Sequence, residues 1–101
     1  VCIGETKAGK TAFFPIFINN EFFLMQFPPH FFARYAERME LEVSGEELIR
    51  EYFGRNHSYG FTYHQEMIVK NCKVTHCYGT CHDGVCLGLT SAKFPIMLMK
   101  T

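Results

Sequence analysis

Three groups of residues in this sequence have types and spacings that suit chemistry. His30, Arg34 and Arg38 recur at i, i+4 and i+8. On a helix that spacing puts one proton-transfer group and two fixed cations along a single edge. Histidine titrates near neutrality and can move a proton. Arginine forks hold phosphate oxygens and stabilise charge as it develops. Such a stripe suits phosphodiester cleavage, with a ribose 2′-hydroxyl as the internal nucleophile and no metal. The same spacing also fits a solvated edge. There Arg34 and Arg38 pair with Glu37, Glu42 or acids of the next helix, each pair worth under about 1 kcal/mol, and His30 caps the first turn.

The second group is Cys72, His76, Cys77, Cys81, His82 and Cys86, all within fifteen residues. Zinc takes four such ligands in a tetrahedron, most often from C-x-x-C knuckles, and no C-x-x-C occurs here. A two-residue turn at Asp83-Gly84 pairs Cys81 with Cys86, Gly79 with Gly88, and Cys77 with Thr90. Cys77, Cys81 and Cys86 then share one sheet face, and Cys72 has the opposite parity. Three readings follow: a zinc site at Cys77, Cys81 and Cys86, a Cys81–Cys86 cross-strand disulfide, or small apolar residues filling a face.

The third is Gly4-Glu5-Thr6-Lys7-Ala8-Gly9-Lys10-Thr11, which satisfies the G-x-x-x-x-G-K-T phosphate-loop pattern. That chemistry needs a buried strand before the loop and a helix after it. Only Val1-Cys2-Ile3 precede it, and the β-rich Ala12–Ile18, broken by Pro15, follows. The expected reading is a polar, glycine-containing segment that leads into a strand.

The elements that must position these residues are read from periodicity. Thr11–Ile18 and Glu21–Phe27 predict a hairpin turned at Asn19-Asn20, residues that tolerate positive φ. Pro15 cannot donate to a ladder, so it places the first strand at an edge or bulge. Pro28-Pro29 opens a helix to Met39, whose Phe31, Phe32, Tyr35, Ala36 and Met39 span about 140° of arc. Ser44-Gly45-Glu46-Glu47 reads as a capping box, and Leu48, Ile49, Tyr52 and Phe53 form the stripe of a second helix. Gly54 and Asn56 are its stop signals. Tyr59, Phe61 and Tyr63 alternate with polar neighbours, Met67-Ile68-Val69 is apolar, and Lys73–Cys81, Val85–Ser91 and Phe94–Met99 read as strands. The expected fold class is α+β: an N-terminal β-hairpin, two helices, then a mostly antiparallel four-stranded sheet with the helices on one face.

The chain has 101 residues, which predicts one domain, because two cores would each be too small to stand alone. Ten Lys and Arg against ten Asp and Glu give no net charge, so bulk charge does not indicate a strongly basic nucleic-acid binder. Sixteen aromatics in so short a chain favour self-association, so a homodimer is expected. No apolar run reaches the roughly 18 residues of a membrane span, and no secretory signal is visible. The expectation is a cytoplasmic chain with free thiols and no membrane partner. The start at Val1 and the strand-like end at Phe94–Thr101 are what a piece of a longer chain would show.

Pro29-His30-Phe31-Phe32-Ala33-Arg34-Tyr35-Ala36-Glu37-Arg38-Met39 resembles the H-x3-R-x3-R opening of small bacterial domains of unknown function. Those are similar to the RelE/ParE/BrnT superfamily of toxin-like ribonucleases. The likeness covers roughly residues 28–101. It implies a metal-independent endoribonuclease of the toxin–antitoxin kind, or a degenerate relative that binds RNA or an antitoxin-like protein. It carries His30, Arg34 and Arg38 over as catalytic candidates, with Lys100 as a further one, and implies no cofactor. The alternative from another class is a noncatalytic interaction domain that holds zinc in the cysteine hairpin.

Overall fold

The computed structural model of the chain describes residues 1–18, 20–91 and 96–100, and the backbone alone at 63–65, 67, 69 and 72. Its elements are β1 (Cys2–Thr6), β2 (Gly9–Ile18), β3 (Glu21–Phe27), α1 (Pro29–Met39), α2 (Gly45–Arg55), β4 (Gly60–Val69), β5 (Cys72–Cys81), β6 (Gly84–Ser91) and β7 (Ile96–Lys100). The seven strands form one sheet in the order β1-β2-β3-β7-β6-β5-β4. Neighbours are antiparallel except β3 and β7, which run parallel. Two meanders, β1–β3 and β4–β7, are thus joined along one parallel seam, with both helices on the connection between them.

The expected four-stranded, mostly antiparallel sheet is overturned by this topology. The N-terminal hairpin is not an appendage but three strands of the same sheet, and the sheet is mixed. The extra strand is β1, whose second half, from Gly4 to Thr6, lies inside the phosphate-loop pattern. Gly4–Thr11 is an antiparallel hairpin in which Gly4 pairs with Thr11 and Glu5 with Lys10. Lys10 is bound to Glu5 at 3.2 Å, and no helix follows to present amides to a phosphate. Two glycines and a Lys-Ala pair look like a loop in sequence, yet Gly9 at φ +130° turns the chain tightly enough to pair it. Pro15 is tolerated because β1 ends at Cys2, opposite Phe13, so β2 is locally an edge two residues later.

The other local signals are met in part. Ile18 pairs with Glu21, and Asn20 adopts φ +67°; Asn19 lies outside the described residues. The alternating run from Tyr59 and the apolar run Met67-Ile68-Val69 fall in one strand, β4, with a bulge between Tyr63 and Gln65. Lys70 and Asn71, both at positive φ, close the next hairpin. Ser44 is the N-cap of α2, but its hydroxyl makes no capping bond. Gly54 stays within the helix and Asn56 ends it. The last strand starts at Ile96, and the expected start at Phe94 lies outside the described residues.

The core is an aromatic cluster built around Phe27, which is fully buried. Its ring meets Phe31 and Phe53 edge-on, at centroid distances of 5.0 and 5.1 Å, and Phe32 and Tyr52 at under 6 Å. Edge-to-face pairs add to the burial term because ring edges are positive and faces negative. Both helices therefore pack against the sheet face that carries Phe27, along with Ala12, Met25, Met97 and Met99. Phe27→Ala is expected to cost about 3–5 kcal/mol, as cavities in aromatic cores do. Urea unfolding monitored by circular dichroism measures it.

Candidate functional site

A cavity of about 360 Å³ opens between α1 and the β6–β7 side of the sheet. Arg34 and Arg38 line it from α1, Tyr35 and Tyr52 from the helix faces, and Asp83 and Cys86 from the β5–β6 hairpin. Lys100 stands at its rim; it alternates with the buried Met99, so it starts from the opposite sheet face. His30 is exposed and is not part of the lining. The cavity thus brings together Arg34, Arg38 and Lys100, and leaves out the proton-transfer candidate. Both arginines are exposed, and neither makes a salt bridge to a described residue. The expected pairs with Glu37 and Glu42 are not formed among the described residues.

The one carboxylate in the cavity wall among the described residues already has its donors. Asp83 Oδ1 accepts from Arg55 at 2.8 Å, and Oδ2 accepts from the Tyr35 hydroxyl at 2.7 Å and from Asn56 Nδ2 at 2.8 Å. Asn56 is fully buried; its Oδ1 accepts from the Asp83 amide at 2.9 Å, and its Nδ2 also reaches the Tyr52 carbonyl at 3.0 Å. One carboxylate and one amide therefore tie α1, α2 and the β5–β6 turn into a single knot. Burial alone would raise the Asp83 carboxyl, but the bonds from Tyr35, Asn56 and Arg55, with the Arg55 charge, outweigh it and hold it below the usual carboxylate range. Burial, then the Asp83 acceptor and its charge, push the Tyr35 hydroxyl up to about 12. Sequence reading missed this knot. It took Asp83 as a turn former, Asn56 as a helix stop and Tyr35 as core, and nothing local ties residues 27 and 48 positions apart.

The cysteine hairpin keeps its predicted face but not its register. Cys81 pairs with Gly84, Gly79 with Cys86 and Cys77 with Gly88, so the turn residues are His82 and Asp83. The slip is two residues, which preserves parity, and Cys77, Cys81 and Cys86 do alternate onto the helix-side face. Cys72 lies outside the described side chains. Each of the three thiols faces a glycine across the strand pair. Gly88 lets Cys77 Sγ approach, since a Cβ there would stand 3.0 Å from that sulfur, and Gly79 does the same for Cys86. The thiols donate apart from one another: Cys77 to Met97 Sδ at 3.7 Å, Cys81 to the Gly84 carbonyl and Cys86 to the Gly79 carbonyl, each at 3.5 Å. Cys77 and Cys86 are buried, and burial first of all pushes their thiols up to about 11 and about 12. All three are free thiols, and no three His, Cys, Asp or Glu side chains converge on a metal position among the described residues. The arrangement packs a sheet face.

Compared with protein-family models, curated proteins and solved structures, the chain matches none. No helix among the described residues is long and apolar enough to cross a membrane.

Two measurements probe the knot. Asn56→Ala leaves Asp83 and the Tyr52 carbonyl short of buried partners, and is expected to cost about 1–3 kcal/mol in urea unfolding. The depressed Asp83 carboxyl contributes stability that is fully present above its unfolded value of about 3.9 and is lost as pH falls through the lower folded value. Stability measured from neutral pH into acid is expected to fall below about pH 4, and to fall less steeply in Asp83→Asn.

Proposed function

We propose that this chain binds a nucleotide-sized phosphate ester, a short stretch of RNA backbone included, and holds it with Arg34 and Arg38. On this reading it is a noncatalytic relative of the toxin-like ribonucleases. The observation that carries it is the pair of arginines, without ion pairs among the described residues, on the wall of a cavity of about 360 Å³ whose one carboxylate among the described residues is already bonded to three donors. Two guanidinium forks one helical turn apart suit phosphate oxygens better than a point charge does. The volume falls in the ~300–1,000 Å³ range of small-ligand sites.

Binding is favoured over cleavage because the cavity lacks the proton-transfer candidate of the helix edge. Tyr35 and Cys86 are both pushed up to about 12, and His30 stands outside the cavity. A ligand of short length is favoured over a long polyanion. The helices also present Glu37, Glu40, Glu46, Glu47 and Glu51, all exposed, and these would repel an extended strand.

Fluorescence anisotropy with a labelled nucleoside monophosphate and a labelled five-residue ribo-oligonucleotide tests the reading. Arg34→Ala and Arg38→Ala are each expected to weaken binding by about tenfold or more, the weight of a charged hydrogen bond. Binding is expected to weaken with added salt, and His30→Ala to leave it unchanged. Equal affinity in the arginine variants sinks the reading. RNA cleavage that is lost in His30→Ala replaces it with the catalytic one.

A further inference from the structure

A third cation stands on the wall opposite the two arginines. Arg34 and Arg38 line the cavity from α1, and Lys100, the last residue of β7, lines it from the sheet. All three are exposed, and none makes a salt bridge to a described residue. Lys100 is opposite Leu87 in the last pair of the β6–β7 ladder. A lysine carries its charge on a flexible four-carbon stem, which lets it reach round the end of the strand to the cavity mouth. The negative side of the lining is small. Asp83 is its one carboxylate among the described residues, and Arg55, which is not in the lining, is bound to it at 2.8 Å. The charges of Arg34, Arg38 and Lys100 are therefore in excess of that pair.

Resting on the reading that Arg34 and Arg38 hold a phosphate ester, we infer that the ester is a terminal phosphomonoester, gripped from both walls, with Lys100 as the third anion-binding residue. Charge distinguishes it from an internal phosphodiester. A diester carries a single negative charge and leaves most of this cluster uncompensated, whereas a phosphomonoester carries about −1.5 to −2 at pH 7. Oxygen count points the same way. A phosphomonoester offers three acceptor oxygens, and a diester keeps only its two non-bridging ones. Two guanidinium forks on one wall and an ammonium on the other match a tripod of oxygens better than a pair. A second phosphate on the same ligand finds no further cation in the lining among the described residues. Met39, Val85 and Leu87 line the cavity instead, with Val85 62% and Leu87 39% exposed. They suit the apolar faces of a ring system, and a few placed polar groups beside an apolar wall are what small-ligand sites share. The ligand class is thus a nucleoside monophosphate, or another ring-bearing phosphomonoester of that size.

Isothermal titration calorimetry with adenosine 5′-monophosphate and with its phosphate methyl ester tests this. The two probes share base and sugar and differ in one phosphate charge and one free oxygen. At about pH 7.5 the monoester is expected to bind about tenfold more tightly or better, the weight of a charged hydrogen bond. Its affinity is expected to fall several-fold by about pH 5, as the second phosphate proton, with a pKa of about 6, returns. The methyl ester has no such proton. The titratable groups around the cations are Tyr35, Tyr52, Cys81, Asp83 and Cys86, and a change in any of them acts on both probes. Lys100→Gln is expected to weaken the monoester by about tenfold and the methyl ester little, and Lys100→Arg to keep the preference. A 5′-phosphorylated five-residue ribo-oligonucleotide separates the two sources of such a group. Affinity no better than the monophosphate's places a free mononucleotide in the cavity, and tighter binding that is lost with the 5′-phosphate places the end of an RNA there; both keep the inference. Equal affinity for monoester and methyl ester, or an unchanged monoester affinity in Lys100→Gln, overturns it. If that common binding is still lost in Arg34→Ala, the phosphate-ester reading stands without it. Binding of neither probe overturns both.

Discussion

Three residue pairs join the two halves of this molecule: Leu24 with Ile96, Met25 with Met97, and Gln26 with Leu98. They form the parallel seam between β3 and β7. Because the seam is parallel, the ends of both strands lie at the same end of the sheet. Phe27 leads directly into α1 through Pro28, and Lys100 ends beside it. β6 runs the other way, so the His82-Asp83 turn comes to that end too. The cavity under Arg34 and Arg38 exists because α1 and that turn are delivered to one place. An antiparallel seam would have put them at opposite ends.

What holds the cavity open is polar rather than apolar. Asp83 takes hydrogen bonds from both helices, through Tyr35, Asn56 and Arg55. A partly buried carboxylate depends on its donors, so removing any one of them weakens the knot. This knot uses up the local negative charge, and the neighbouring arginines keep theirs. Arg55 is spent on this knot, whereas Arg34 and Arg38 line the cavity without an ion pair among the described residues.

The same seam leaves the sheet one-sided. The aromatic residues of both helices gather on Phe27, and the chain has no further element among the described residues to cover the far face. Ile96 and Leu98 are therefore buried on neither side by helices, although the strand that carries them is central.

Much of this was legible in the residues. Phe31, Phe32 and Tyr35 on α1, and Leu48, Ile49, Tyr52 and Phe53 on α2, are buried as their 3.6-residue spacing requires. The positive φ at Asn20 and the shared face of Cys77, Cys81 and Cys86 follow from local chemistry and from alternation. A slip of two residues in register leaves a face unchanged, which is why the cysteines' face was readable while their partners were not. The tertiary structure alone decided the rest. Alternation says which way a side chain points but not which strand lies alongside, so neither β1 nor the β3–β7 seam could be read from pattern. The Tyr35–Asp83 bond spans 48 positions and depends on that seam. The helix edge from His30 to Arg38 was visible in the sequence. That only its arginines line a cavity was settled by where the fold put the opposing wall.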